Sequence, residues 1–112
     1  MSKNQETITV EMNVKEVYEY AQKIKGRFPE GEALLLTNAK YAYLYAAYII
    51  KGPWPEGEEV ISKDAESAYK YALRVLKRPW NKGRKAINKN PWFREKYEEL
   101  LKMPPERWNY YY

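Results

Sequence analysis

Half of the chain's 20 lysines and arginines lie between Lys70 and Lys96, where Glu95 is the single acid. Lys82, Arg84, Lys85 and Lys89 form the densest part of this run. Arg78 and Arg94 flank it, and Trp92 and Phe93 stand between Lys89 and Arg94. Cationic side chains at this density attract phosphate or carboxylate, and a neighbouring aromatic pair offers a face on which a base or a partner side chain can stack. The imbalance is local: residues 1–62 carry 7 basic and 9 acidic side chains, whereas residues 63–112 carry 13 and 6. The plainer readings are a solvated basic face that keeps the protein dispersed, and an aromatic pair that covers the end of the fold.

Covalent and metal chemistry is poorly supplied. The 112 residues contain no Cys and no His, so thiolate nucleophiles, disulfides and imidazole acid–base steps are absent together. No phosphate-cradling Gly-x-x-x-x-Gly-Lys-Ser/Thr or Gly-x-Gly-x-x-Gly occurs, and no base accompanies the few hydroxyls, Ser2, Thr7, Thr9, Thr37, Ser62 and Ser67. Glu56 with Glu58, or Asp64 with Glu66, are spaced to share Mg²⁺, but helix starts account for them better. The expectation is a binding protein, not an enzyme, without cofactor or metal. No apolar run approaches the roughly 20 residues of a membrane span, and Met1–Glu6 lack the apolar stretch of a signal peptide. A soluble, cytoplasmic protein with no membrane partner is expected.

The elements that would position these residues come from an internal repeat. Ala42–Lys51 aligns with Ala68–Lys77 at an offset of 26 residues, and the match persists through Pro53/Pro79, Trp54/Trp80, Gly57/Gly83, Ile61/Ile87 and Asp64/Asn90. An earlier copy begins at Val17-Tyr18-Glu19-Tyr20-Ala21 and continues through Gly26 to Glu32, one residue short in its first stretch. A decayed fourth copy keeps Tyr97 in register with Tyr71 and Tyr45, then departs at Met103-Pro104-Pro105. Ala68, Tyr71, Ala72 and Val75 have the i, i+3, i+4, i+7 spacing of one helix face. Asn13, Asn38, Asp64 and Asn90 precede such stretches as N-caps, with Glu16 completing a capping box, and Gly26 and Gly52 are expected to close them in the left-handed conformation. A shorter helix follows in each unit, opened by Pro29 or Pro55 and by Glu30, Glu32, Glu56, Glu58 and Glu59 at its positive end.

One such pair cannot bury its apolar face alone, so the fold class expected is all-α: a short, right-handed, solenoid-like stack of helix–turn–helix repeats. Residues 1–12 form an N-terminal arm in which Thr7–Met12 alternates like a short strand. Residues 13–112 form one domain, with units near 13–38, 39–64 and 65–90 and a capping unit over 91–112. Phe28, Trp54 and Trp80 are read as corner anchors, and Tyr45, Tyr71 and Tyr97 as layered core residues with hydroxyls at the surface. Trp108 has no counterpart in the other units. The tail Tyr110–Tyr112 either docks back or protrudes.

The period is shorter than the roughly 33–34 residues of ankyrin and tetratricopeptide units. Tyr-Ala-x-x-Val-Leu-Lys-x-x-Trp (Tyr71–Trp80) and Gly-Pro-Trp-Pro-Glu-Gly-Glu-x-x-Ile-x-x-Asp (Gly52–Asp64) instead resemble the short Tyr/Trp-rich helical repeats of bacteriophage and large DNA virus proteins. That resemblance spans about residues 14–102. It implies a viral source and an αα-repeat fold, and supplies no active site. The third unit departs from it, placing Asn81-Lys82-Gly83-Arg84-Lys85 where the second has Pro55-Glu56-Gly57-Glu58-Glu59. Lysine or arginine at a helix N-terminus is unfavourable by a few tenths to about 1 kcal/mol per charge, so the reversal suggests an anionic partner. A phage context implies a small inhibitor or adaptor directed at a host protein, a defence complex or another ribonucleoprotein or DNA-handling assembly among them. Direct nucleic-acid or nucleotide binding through the third unit is the alternative. The stack ends and the Thr7–Val10 arm lean towards a homodimer.

Overall fold

The first helix of each unit starts where a side-chain oxygen replaces the missing turn. The structure, a computed structural model, describes residues 12–110. Asn13 Oδ1 accepts from the Glu16 N–H at 2.8 Å while Glu16 Oε1 accepts from the Asn13 N–H at 3.0 Å. Asn38 caps the Tyr41 N–H at 3.1 Å, Asp64 that of Ser67 at 3.0 Å, and Asn90 those of Trp92 and Phe93 at 3.0 and 3.2 Å. The helices are α1 Val14–Ile24, α2 Pro29–Leu35, α3 Ala39–Leu44, α4 Glu58–Ile61, α5 Ala65–Lys70, α6 Asn81–Lys89 and α7 Pro91–Leu101. A single turn, Pro55–Gly57, precedes α4, and a tighter helix, Pro105–Tyr110, follows α7. Every regular element among the described residues is helical, and none is long and apolar enough to cross a membrane. The arm's expected strand and Tyr111–Tyr112 lie outside the described residues; Met12, at the arm's end, packs half-buried against the core. α1 packs on α3, α3 on α5 and α5 on α7, while α2, α4 and α6 pack against α1, α3 and α5 in turn, and the molecule measures 52 × 25 × 19 Å.

The residue missing from the first unit has a visible counterpart. α3 and α5 continue without a break into π-helical segments, Tyr45–Ile50 and Tyr71–Leu76, whereas α1 is α-helical throughout. A π turn absorbs one inserted residue by shifting bonds to i−5. Thus the Lys51 and Lys77 N–H groups reach Ala46 O and Ala72 O, both at 2.7 Å. The helix ends differ from expectation. Gly26 and Gly52 do not adopt positive φ; Lys25, Lys51 and Lys77 do, at 57°, 63° and 57°. The left-handed residue is the one before the glycine, and Arg78 fills the glycine's place in the third unit, its N–H accepted by Ala72 O at 3.3 Å. A side chain in that conformation costs on the order of 1 kcal/mol, offset by two consecutive N–H groups bonding to one carbonyl in the second and third units.

A different glycine position is constrained. A Cβ on Gly31 would meet Val17 Cγ1 at 2.5 Å, one on Gly57 would meet Trp54 Cε3 at 2.5 Å, and one on Gly83 would meet Trp80 Cε3 at 2.7 Å and Ala68 Cβ at 2.9 Å. The anchors Phe28, Trp54 and Trp80 are buried, and each lies on the backbone of the glycine three residues later. Their rings also meet a tyrosine of the same unit: Tyr20–Phe28 at 4.7 Å, Tyr45–Trp54 at 5.0 Å and Tyr71–Trp80 at 4.9 Å between centroids.

The tyrosine hydroxyls are buried, contrary to the expectation of a surface position, because the anchors need them. Burying an anchor also buries its backbone N–H, which must find an acceptor. The Phe28 N–H donates to Tyr45 Oη at 2.8 Å, that of Trp54 to Tyr71 Oη at 2.9 Å and that of Trp80 to Tyr97 Oη at 2.9 Å. Each bond spans 17 residues and joins one unit to the next. Tyr45 Oη donates in turn to Glu32 at 2.6 Å and Tyr71 Oη to Glu58 at 2.7 Å, so these two glutamates serve the tyrosines rather than only the helix dipole. Burial, then the bond to Glu32, pushes the Tyr45 phenol up to about 12, and burial raises Tyr71 as well. Burial pushes Glu32 up, but bonds from Arg27 and Tyr45 outweigh it and hold the carboxyl below its usual range.

Two outcomes follow in chemical denaturation. Gly57→Ala should lose about 1–3 kcal/mol by overpacking, while Gly52→Ala, with nothing within 4 Å of its Cβ and no positive φ, should be neutral or gain up to about 1 kcal/mol. Raised phenol values mean that the folded state holds its protons longer than the unfolded chain. Stability from Tyr45 should therefore be intact below pH about 10 and be lost as pH rises through about 12, with Tyr45→Phe flattening the alkaline limb.

Candidate anion-binding surface

Helix α6 carries the basic run, and its periodicity divides the predicted residues. Lys82, Lys85 and Lys89 occupy i, i+3 and i+7, hence one face, and with Ser62, Lys63 and Asn90 they line a groove of about 490 Å³. Lys82 Nζ lies 3.1 Å from Glu59 Oε1, and Lys63 Nζ 3.7 Å from Glu59 Oε2. Bonding and charge from Lys82, aided by Lys63, hold the exposed Glu59 carboxyl below its usual range. Lys85 and Lys89 are exposed and have no acidic partner among the described residues, so the groove retains net positive charge. Lys63 was not singled out from sequence. Its signal is the repeat itself, since it aligns with Lys89 at the 26-residue offset.

Arg84 does not join this face. It projects from the other side of α6, its guanidinium 5.9 Å from the centre of the buried Tyr97 ring. Arg78 lies in the corner before Pro79, its Nη1 3.5 Å from Pro79 O. Arg94 is exposed on α7, at the position where Ala42 and Ala68 are buried in earlier units, and Glu95 likewise replaces the buried Tyr43 and Tyr69. These charges make the outer face of the last helix polar.

Trp92 and Phe93 belong to a second groove, of about 230 Å³, shared with Tyr69, Lys70, Arg74 and Lys96. Phe93 is half-buried, 5.5 Å from the Tyr69 ring, and meets Trp92 edge-on at 4.7 Å. Trp92 remains 58% exposed, with Lys96 Nζ 5.2 Å from its ring centre. Trp108, which has no counterpart in the other units, is core: it is 1% exposed, and its Nε1 donates to Leu100 O at 3.1 Å, satisfying a carbonyl at the end of α7. The helix Pro105–Tyr110 brings it there, two residues past the position expected from Trp80.

Among the described residues no group of three or more acidic side chains is placed to hold a metal ion. Ser62 Oγ donates to Glu59 O at 2.8 Å, a local turn bond rather than an activated nucleophile. What the surface offers chemically is Coulomb attraction on α6 and an aromatic face beside cations on α7. Comparison with protein-family models, with curated proteins and with solved structures finds no match to the chain.

The two tryptophans should separate cleanly in denaturant melts. Trp108→Ala should cost about 3–5 kcal/mol, as for a buried aromatic, whereas Trp92→Ala should stay within about 1 kcal/mol of the parent.

Proposed function

We propose that the protein is a non-enzymatic interaction module, a solenoid-like stack of helical repeats that presents a lysine groove to an acidic protein partner. The observation that carries this reading is the convergence of Lys63, Lys82, Lys85 and Lys89 on one groove, where Glu59 pairs with Lys63 and Lys82 and leaves Lys85 and Lys89 without an acidic partner among the described residues. The 26-residue recurrence of the anchor–hydroxyl bond supports the stack. The motif resemblance supports a phage origin, and with it a small inhibitor or adaptor acting on a host complex, such as a defence assembly. A second reading, single-stranded nucleic acid, is favoured by one specific feature: the exposed Trp92 ring beside Lys70 and Lys96, where a base would stack.

Fluorescence anisotropy with a polyglutamate peptide and with a single-stranded oligonucleotide distinguishes the two. Lys85→Glu/Lys89→Glu should lower peptide affinity at least about tenfold at low salt and leave the melting curve unchanged. A peptide affinity unchanged by this double reversal overturns the groove. Tight oligonucleotide binding that falls with salt by a log–log slope of about −0.7 per phosphate and weakens in Trp92→Ala establishes the second reading instead.

A further inference from the structure

The first two units show what belongs beside each buried tyrosine hydroxyl, and the third unit lacks it. Tyr45 Oη and Tyr71 Oη each accept an anchor N–H and donate to a carboxylate, Glu32 at 2.6 Å and Glu58 at 2.7 Å. Arg27 completes the first set with two bonds of 2.9 Å to Glu32, giving a tyrosine–carboxylate–arginine trio. Tyr97 Oη accepts the Trp80 N–H at 2.9 Å, but the residue aligned with Glu32 and Glu58 is Arg84. Among the described residues no side chain accepts the Tyr97 hydroxyl proton, and the Arg84 guanidinium rests over the ring.

We propose that Tyr97 and Arg84 form a receptor for a carboxylate supplied from outside the chain, a glutamate side chain of an acidic partner. Its oxygen would take the place that Glu32 and Glu58 occupy in their own units. It would accept the Tyr97 O–H and pair with the Arg84 guanidinium, reproducing the Tyr45–Glu32–Arg27 trio with the arginine contributed from a different position. The hydroxyl is pre-oriented because its bond from the Trp80 N–H fixes the oxygen. Tyr97 is fully buried, so the ligand reaches it when the exposed Arg84 side chain swings off the ring. A carboxylate accepting from a hydroxyl and a guanidinium together gains charge-assisted bonds, and it satisfies a donor that has no acceptor among the described residues. The proposal deepens the acidic-partner reading, on which it rests, by naming the recognised group. It places that group on the opposite side of α6 from the lysine groove.

The test is an NMR titration of the intact, ¹⁵N-labelled protein with a polyglutamate peptide at low salt, following the Trp80 backbone amide as the reporter of Tyr97. In the parent, that amide should shift saturably. Arg84→Glu supplies the missing carboxylate internally, so it should raise the melting temperature and abolish the Trp80 response. Arg84→Gln, which keeps the site open but removes the charge, should weaken the response about tenfold or more. Lys85→Glu/Lys89→Glu should retain the Trp80 shift at saturating peptide even though overall affinity falls, so a failed groove and a failed carboxylate site give different results. A Trp80 amide unmoved in the parent, or still moved in Arg84→Glu, overturns the proposal. So does an equal response to inorganic phosphate, which would make the site a general anion contact.

Discussion

The hydrogen bond from a buried anchor's backbone N–H to a tyrosine hydroxyl 17 residues later is the constraint on which the rest of this fold depends. Phe28, Trp54 and Trp80 turn the chain from a long helix into a short one. Their side chains can be buried at that corner only if the N–H buried with them is satisfied. Leaving such a donor unpaired would cost about 1–3 kcal/mol at each corner. The hydroxyl comes from the following unit, so the bond that rescues the corner also fixes the distance and register between consecutive units. Packing then follows: the ring of the same tyrosine lies against its own unit's anchor, joining hydrogen bonding and aromatic contact in one residue.

Backbone geometry adapts around that bond. Gly31, Gly57 and Gly83 let the anchor ring lie on the short helix's backbone where any Cβ would collide. The π-helical turns in the second and third units absorb one residue beyond Ala46 and Ala72, so that the corner still arrives in register. The first unit reaches the same corner with one residue fewer and an ordinary α-helix. Register therefore belongs to the buried alanine and the anchor, and the exposed turn between them tolerates a change in length.

Charge at position 58 and its equivalents has two meanings. Glu32 and Glu58 are structural, because a phenol donor faces them. At position 84 that duty lapses and the residue is cationic, while on the opposite face of α6 the lysines converge without an equal number of acids. A reversal that reads in the sequence as one basic patch is thus two changes on two faces of a helix. One alters the interior ladder and the other alters the solvent electrostatics.

Helix identity, the 26-residue period, the N-caps and the corner anchors were legible in the sequence, because 3.6-residue periodicity and capping side chains act within a few positions along the chain. Gathering basic residues near α6 was legible too, since charge is carried by residue type. The burial of the tyrosine hydroxyls was not legible, nor was the role of Glu32 and Glu58 as their acceptors, because the partners lie 13 residues apart in consecutive units and meet only after packing. Lysine rather than glycine took the left-handed turn because the bonds to Ala46 O and Ala72 O determine which residue must bend. The division of Lys82, Lys85 and Lys89 from Arg84, and of both from Trp92, depended on how α6 rotates about its own axis against α5 and α7. Gly83 and Ile87 fix that rotation by pointing into the core. Trp108 shows the same limit: with no counterpart in the other units it had no place in the repeat pattern, and only the return of the chain over α7 made it the closing piece of the core.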